Sequence, residues 1–310
     1  MNLVPAQRLA SPRRGAVLVA VMALAALSAA IAMEVAYLTR IEGDRIKLEH
    51  DRIQAELMAR AGYDLALEIL AVDDKEIDSL EDLWAKPVEF ARDEGSASVT
   101  IADESSRFPL QSLIDASGLL NIGARGRLER LLLSLDMPAS LSDKMIDYID
   151  ADDDPFPQGA EADAYLRMSP ARRPANRPLH SLDELALIDG IDSAMAARLA
   201  EHLTLYSSGA INLNTATPHV LVAACGKLSL DQADRIVTRA KFSRYTAVKD
   251  VGDVATLDAA GLDELSGQTG VASSTFRIVS RGVSGSADIL LTTIVERQSD
   301  RFAVKYRRIE

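Results

Sequence analysis

Apolar residues run from Ala16 to Met33 with no charge among them, interrupted only by Ser28. These eighteen residues are enough to cross a bilayer as a helix. The helical pattern does not stop there. It continues from Glu34 to Leu70, and beyond Ile41 it turns amphipathic. Ile46, Ile53, Leu57, Ala61 and Leu65 recur at seven- and four-residue spacings among Asp44, Arg45, Lys47, Glu49 and Arg52. One face of this long helix is expected to lie on a sheet or on neighbouring helices. Asp73-Asp74 ends the pattern, and Ser79 is expected to cap a short helix carrying Leu80, Leu83 and Trp84 before Pro87.

Strand-like alternation appears at residues 97–102 and then only near the end, at 276–283, 289–296 and 302–309, with Gly285 and Asp300 at the turns. One antiparallel sheet must take the early strand and the late strands together. The intervening stretch is mostly helical in pattern and reads as an insertion. It contains an amphipathic run at 127–135 and helices at 141–149, 193–203 and 230–240. Another is capped by Ser181, with Glu184 at capping-box spacing, and another by Thr217, with Pro218 at its first position. The expected fold class is α+β, a long N-terminal helix on an antiparallel sheet with a large all-helical domain inserted between the strands. The expected division is a leader at 1–15, a membrane helix at 16–40, and an amphipathic helix with the first part of the sheet domain at 41–104. The insertion follows at 105–270, and the strands that complete the sheet at 271–310.

Arg8, Arg13 and Arg14 precede the apolar run and acids soon follow it. The positive-inside rule then leaves the N-terminus in the cytoplasm and carries the bulk of the chain across the membrane. Three readings of the segment compete. A secretory signal would be cut after a small-x-small site such as Ala30-Ile31-Ala32, and a plain anchor would keep its leader. A prepilin-type signal would be cut between Gly15 and Ala16, leaving the helix on the mature protein. The arginines abutting Gly15 and the unbroken helix beyond favour the third. Most subunits with such a signal carry Glu at the fifth mature position, where it neutralises the new terminal amine of the neighbour ahead. Here that position is Ala20, and no acid occurs before Glu34. A subunit with nothing ahead of it has no buried amine to neutralise, so the missing Glu points to a tip position.

Charge sharpens this picture. The chain carries −12, and removing residues 1–15 takes away three arginines and no acid, leaving −15. Such a chain repels nucleic acid and favours divalent cations or basic partners. Cys225, the only cysteine, sits in an apolar run and reads as a buried small hydrophobe. His50, His180, His202 and His219 are scattered and offer no zinc spacing. No nucleophile elbow, phosphate loop or zinc helix occurs, so enzyme activity is not supported.

The strongest chemical signal outside the membrane segment is the acidic stretch from Asp150 to Asp163. Counted from Asp150, Asp152 and Asp154 fall at positions three and five and Glu161 at twelve, which is the ligand spacing of a calcium loop. Pro155 takes the sixth place, normally Gly, so the geometry must differ from an EF-hand. A solvated acidic loop between helices is the competing reading. Two stretches, Leu187-Ile188-Asp189-Gly190-Ile191-Asp192 and Ile211-Asn212-Leu213-Asn214-Thr215-Ala216, look like helix-hairpin-helix elements. Asp192 stands where a second phosphate-cradling glycine belongs, so the unit reads as a packing module. A membrane-anchored nucleic-acid-binding protein is the alternative function class.

Several features together resemble the large minor pseudopilin family of type II secretion, general secretion pathway protein K. They are Gly15 before Ala16, Ala20 in place of Glu, Ile101-Ala102-Asp103-Glu104, Asp147-Tyr148-Ile149-Asp150-Ala151-Asp152 and Gly159-Ala160-Glu161 with Tyr165. To these are added Ala175-Asn176-Arg177-Pro178-Leu179, Asp183-Glu184-Leu185 and Ile211-Asn212-Leu213-Asn214-Thr215-Ala216. Phe108-Pro109-Leu110-Gln111 departs from the Ile-Asn-Leu-Asn-like sequence often found there. The resemblance implies a pilin-like body with a helical insertion, and cleavage and methylation at Gly15 and Ala16 by the prepilin peptidase. It implies a single-pass inner-membrane precursor, and a place at the periplasmic pseudopilus tip with two other minor pseudopilins, I and J of the pathway. Contacts with other pseudopilus and inner-membrane secretion components follow from that place. It also implies calcium in the helical domain, for which Asp150, Asp152, Asp154, Glu161 and Asp163 are the candidates. The implied role is non-enzymatic, starting pseudopilus assembly and assisting export across the outer membrane.

Overall fold

Helix α1 spans Arg13–Val72, 60 residues and about 90 Å at 1.5 Å per residue. The computed structural model describes residues 13–92, 95–115, 117–207, 209–299 and 301–310. Leader residues 1–12 and the turn expected at Asp300 lie outside them. From Gly15 to His50, α1 touches almost nothing and its side chains are exposed. From Asp51 onward it lies on a sheet.

That sheet has five strands: β1 Val88–Arg92, β2 Gly95–Asp103, β3 Thr275–Ser284, β4 Ala287–Arg297 and β5 Phe302–Ile309. They are ordered β1-β2-β3-β4-β5, each antiparallel to its neighbour. The early strand and the three late ones share this sheet as expected, and β1 is an addition that the alternation did not reveal. Asp103 at the end of β2 pairs with Phe276 in β3. The chain therefore leaves the sheet and re-enters it, some 170 residues later, at adjacent points.

The face of α1 on the sheet is not the expected one. Ala55, Met58, Ala59, Gly62, Tyr63, Ala66 and Leu70 are buried there, whereas Ile46, Ile53 and Leu57 are 70%, 49% and 52% exposed. At 100° per residue the Ile46-Ile53-Leu57 stripe lies opposite the sheet. Small residues take the inner face because the backbones approach closely. A Cβ on Gly282 of β3 would stand 2.0 Å from the Ala55 carbonyl oxygen and 2.5 Å from the Ala59 nitrogen. Trp84 packs in the cluster between helix and sheet, edge-on to Phe276 with ring centroids 5.3 Å apart. The short helix expected after Ser79 is a single 3-10 turn, Leu83–Ala85, with Asp82 rather than Ser79 at its start.

A second hydrophobic cluster, separate from the first, belongs to residues 108–265. It is built from α2 Ile122–Ser134, α3 Leu141–Ile149, α4 Ala162–Leu166, α5 Ser193–Ala200, α6 Pro218–Ala224, α7 Leu230–Ala240 and α8 Ala259–Ser266. The Ser181 capping box forms, but over a 3-10 turn, Leu182–Leu187. Helix α5 ends at Ala200, earlier than the pattern indicates, because Leu203–Thr204 pairs with Phe108–Pro109. Cys225 is fully buried.

Buried polar contacts lock the helical part to the sheet part. The Asp103 carboxylate accepts from Asn212 Nδ2 at 3.1 Å, from Thr215 Oγ1 at 2.6 Å and from Ser273 Oγ. Asn212 and Asn214 also donate to the Asp78 carbonyl oxygen at 3.0 and 3.2 Å. The Asp78 carboxylate, with no exposed surface, meets Arg297 at 3.1 Å, and Arg297 also reaches Asp73 at 3.2 Å. The hairpin-like sequence from Ile211 to Ala216 is thus a structural latch. Gly190 of the other hairpin takes a positive φ of 78°, and Asp192 caps α5 by accepting from the Met195 amide at 2.8 Å.

Candidate functional site

Helix α3 carries Asp143, Asp147 and, at its C-cap, Asp150, spaced four and three apart, so the three carboxylates share one helix face. All three are buried, as is Glu161 at the N-cap of α4. The first two are committed to the protein. Asp143 pairs with Arg125 at 2.7 Å and accepts from the Gln158 amide at 3.2 Å. Both Asp147 oxygens accept from the Phe156 amide at 3.2 Å. Gly159 is required beside it, since a Cβ there would stand 1.8 Å from Asp147 Oδ2. Asp147 therefore holds the returning arm of the loop against α3.

Asp150 and Glu161 are not committed. Asp150 Oδ1 and both Glu161 carboxylate oxygens are buried without a hydrogen-bond partner. Burial first, then Asp152 and Asp147, pushes the Asp150 carboxyl up to about 7. Burial, then Asp147, Asp150, Asp153 and Asp152, does the same to Glu161, also to about 7. Buried oxygens left unpaired cost stability unless a proton or a cation satisfies them. Hard oxygen donors of this kind suit calcium. Among the described residues no three His, Cys, Asp or Glu side chains stand close enough together to hold a metal ion. The donor chemistry thus fits a hard cation, and a cation would have to draw the carboxylates inward to complete its shell.

The expected candidates separate on this geometry. Asp150 and Glu161 carry the unpartnered buried oxygens, Asp150 acts on Glu161 through its charge, and Asp152 acts on both. Asp152 is exposed at the rim, where Oδ1 accepts from the Asp154 amide at 2.9 Å. Asp154 and Asp163 are exposed. Pro155 follows Asp154 directly, and Asp163 lies in the first turn of α4. Loop spacing alone missed Asp147, which lies before the loop begins; its spacing from Asp150 on α3 was the available signal. Asn176, in a left-handed conformation at φ 44°, braces the rim by donating to the Asp152 carbonyl oxygen and to Asp153 Oδ1, both at 3.2 Å.

At the other end of the molecule, Gly15 and Ala16 lie in the first turns of α1, with nothing within 4 Å of a Cβ placed on Gly15. The stretch around them is apolar, exposed and long enough to cross a membrane.

Two sequence models described as type II secretion system protein K match residues 106–208 and 211–273, together more than half of the chain. The chain belongs to the type II secretion protein K family. A type II secretion system protein K from Pseudomonas aeruginosa is 34% identical over 168 residues, covering 52% of this chain and 50% of that protein. The chain therefore spans about half the length of that relative. One from Klebsiella pneumoniae is 25% identical over 284 residues, covering 83% and 84%. Among solved structures, the GspK-GspI-GspJ complex from the enterotoxigenic Escherichia coli type 2 secretion system matches with a TM-score of 0.69 at 21% identity. The match covers 86% of this chain and 99% of that one. This last likeness establishes the protein K fold, the long helix on an antiparallel sheet with its helical domain. Protein K is a component of a secretion system, and nothing in these matches supports nucleic-acid binding.

Proposed function

We propose that this protein is a minor pseudopilin that sits at the tip of the type II secretion pseudopilus and starts its assembly with two smaller minor pseudopilins. The observation that carries the reading is the mismatch between α1 and its own body. Only the part from Asp51 onward has a sheet to lie on, while the apolar part from Ala16 to Met33 is bare. A bare apolar helix needs lipid before assembly and the helices of neighbouring subunits afterwards. Ala20 in place of Glu supports a position with no subunit ahead. In the solved complex the matching protein K is crystallised with GspI and GspJ, and we assign the corresponding proteins of this secretion system as partners here.

The precursor is anchored in the inner membrane with its N-terminus cytoplasmic and its bulk periplasmic. Prepilin peptidase cuts between Gly15 and Ala16 and methylates Ala16. The role is structural, coupling pseudopilus growth to export of folded proteins. Calcium is the cation assigned to Asp150 and Glu161, with Asp152 at the rim and Asp147 shaping the loop. When bound, it supplies the positive charge that lets both buried carboxyls ionise.

The test is the mature N-terminus together with the complex. Protein recovered from inner membranes should begin at methylated Ala16 and co-purify with both smaller pseudopilins. A start after Ala32, or a protein that purifies alone while its partners are co-expressed, would refute the reading.

A further inference from the structure

Three adjoining hollows cross the seam between the helical part and the sheet part. One, of about 280 Å³, is lined by Arg127, Ser112, Gln268, Gly209 and Ala210 among others. Gly209 and Ala210 also line the next, of about 400 Å³, which Lys75 and Gln298 share with the third, of about 330 Å³. Arg301 lines that third hollow. Together they form one trough. Among the described residues the first two hollows are lined by no acid, and Glu68 is the one acid that lines the third.

That is unusual in a chain with 46 acids and 34 lysines and arginines. Arg127 is half-buried, and the charge acting on it is that of another cation, Arg130. Lys75 gives its ammonium to the Ser299 carbonyl oxygen at 2.9 Å, and Arg301 gives Nε to Gln298 Oε1 at 2.9 Å. Among the described residues, none of the three meets a carboxylate. Arg297, which lines the second and third hollows, is held by Asp78 and Asp73, and elsewhere Arg125 and Arg107 each hold a carboxylate. Lys75 and Arg301 are exposed, whereas Arg127 is partly desolvated without a counter-charge, a cost that is recovered when an anion arrives.

We propose that this trough is a docking site for an extended, acidic peptide segment of a partner protein. The three cations are spread along its length and do not converge on one point, which suits carboxylates spaced along a chain better than a single phosphate. The floor at Gly209-Ala210 has almost no side chain, so a peptide backbone can lie close. Ser112, Gln268 and Gln298 offer hydrogen bonds along the walls. The site is independent of the calcium loop and of the apolar stretch of α1.

The experiment uses the full-length protein in non-ionic detergent and a fluorescein-labelled peptide of alternating Glu and Ser, read by anisotropy. The expected result is saturable binding in the micromolar range that weakens with salt. The matching Gln-Ser peptide should not bind, a comparison that needs no variant. Replacing Lys75, Arg127 and Arg301 together by Gln should weaken binding at least about tenfold, with Trp84 fluorescence unchanged. Arg173→Gln, an exposed arginine outside the trough, should leave it intact. No binding at millimolar peptide, equal binding of the neutral peptide, or full retention by the triple variant would each overturn the proposal. So would inorganic phosphate displacing the peptide at equal concentration, which would make the trough a simple anion site.

Discussion

Replacing Gly282 by Ala adds one methyl group where two backbones nearly touch. The new Cβ would fall 2.0 Å from the Ala55 carbonyl oxygen and 2.5 Å from the Ala59 nitrogen, against ordinary contacts of 3.4–4 Å. No rotamer change can relieve this, because the obstructing atoms are helix backbone. Helix α1 must lift by more than 1 Å along the stretch that buries Ala55, Met58, Ala59 and Tyr63. A gap of about 0.5–1 Å already forfeits a quarter to a half of each dispersion contact. Overpacking usually costs about 1–3 kcal/mol, and a clash between backbones belongs at the top of that range, about 3 kcal/mol. With a urea m-value of about 3 kcal/mol/M, the midpoint should fall by about 1 M. Trp84 is the only tryptophan and is buried against Phe276 between this helix and the sheet, so its fluorescence follows the right cluster. The control is Gly43→Ala on the bare part of α1, where nothing lies within 4 Å. It should strengthen the helix locally by about 1 kcal/mol and leave the Trp84 transition in place. A G282A midpoint within about 0.2 M of the parent would refute the seating of α1 described here.

Other expectations follow from the buried charges and the acidic loop. Arg297→Met removes the partner of the fully buried Asp78, so it should cost about 3–5 kcal/mol in the same urea assay; a loss below about 1 kcal/mol would contradict the ion pair. Asp150 and Glu161 have carboxyls raised to about 7 from ordinary values of 3.8 and 4.5. The fold therefore favours their protonated forms. Their contribution to stability is complete below those ordinary values and is lost as pH rises through about 7. In chelator the melting temperature should accordingly fall between pH 5 and pH 8, calcium should restore it at pH 8, and Glu161→Gln should flatten both responses. Identical melting curves with calcium and with chelator at pH 8 would exclude a calcium site there. Gly159→Ala drives a methyl into Asp147 Oδ2, so it should destabilise the loop by about 1–3 kcal/mol and blunt the calcium-dependent rise in melting temperature. A normal calcium response in that variant would remove Asp147 from the role of shaping the loop.

Much of this fold was legible because its signals are local. The apolar block, the capping box at Ser181 and Glu184, Pro218 at a helix start and the β-branched runs at the end each act within a few residues. What stayed hidden depends on partners distant in sequence. The stripe of Ile46, Ile53 and Leu57 is the more apolar face of α1, yet the sheet takes the face of Ala55, Ala59 and Gly62, where Gly282 of β3 comes against the helix backbone at Ala55 and Ala59. Strand β1 was missed because Glu89 and Arg92 make it polar, and its pairing with β2 is what orders it. At the acidic loop, spacing favoured Asp154 and the resemblance added Asp163, and both lie exposed. Asp147 was readable from its spacing to Asp150, but its role in shaping the loop showed only where Gly159 folds back onto α3. The Ile211–Ala216 stretch carried a clear signature, but its role as a latch needed Asp78, Asp103 and Ser273 from three other places in the chain.

The interruption of the sheet between Asp103 and Thr275 has a consequence for the order of folding. Joining β2 to β3 closes a loop of about 170 residues, where a tight hairpin closes about five. On loop-closure entropy alone that difference is about 3 kcal/mol. The helical insertion removes this cost if it folds first, because its own entry and exit are already brought together by Asn212 and Ser273 beside Asp103. The sheet is then completed late, on a template supplied by the insertion, and α1 gains its seat last. Until that moment the inner face of α1 from Ala55 to Leu70 is as bare as its membrane stretch. A chain emerging from the membrane would thus hold its helix unfastened until the helical insertion has closed.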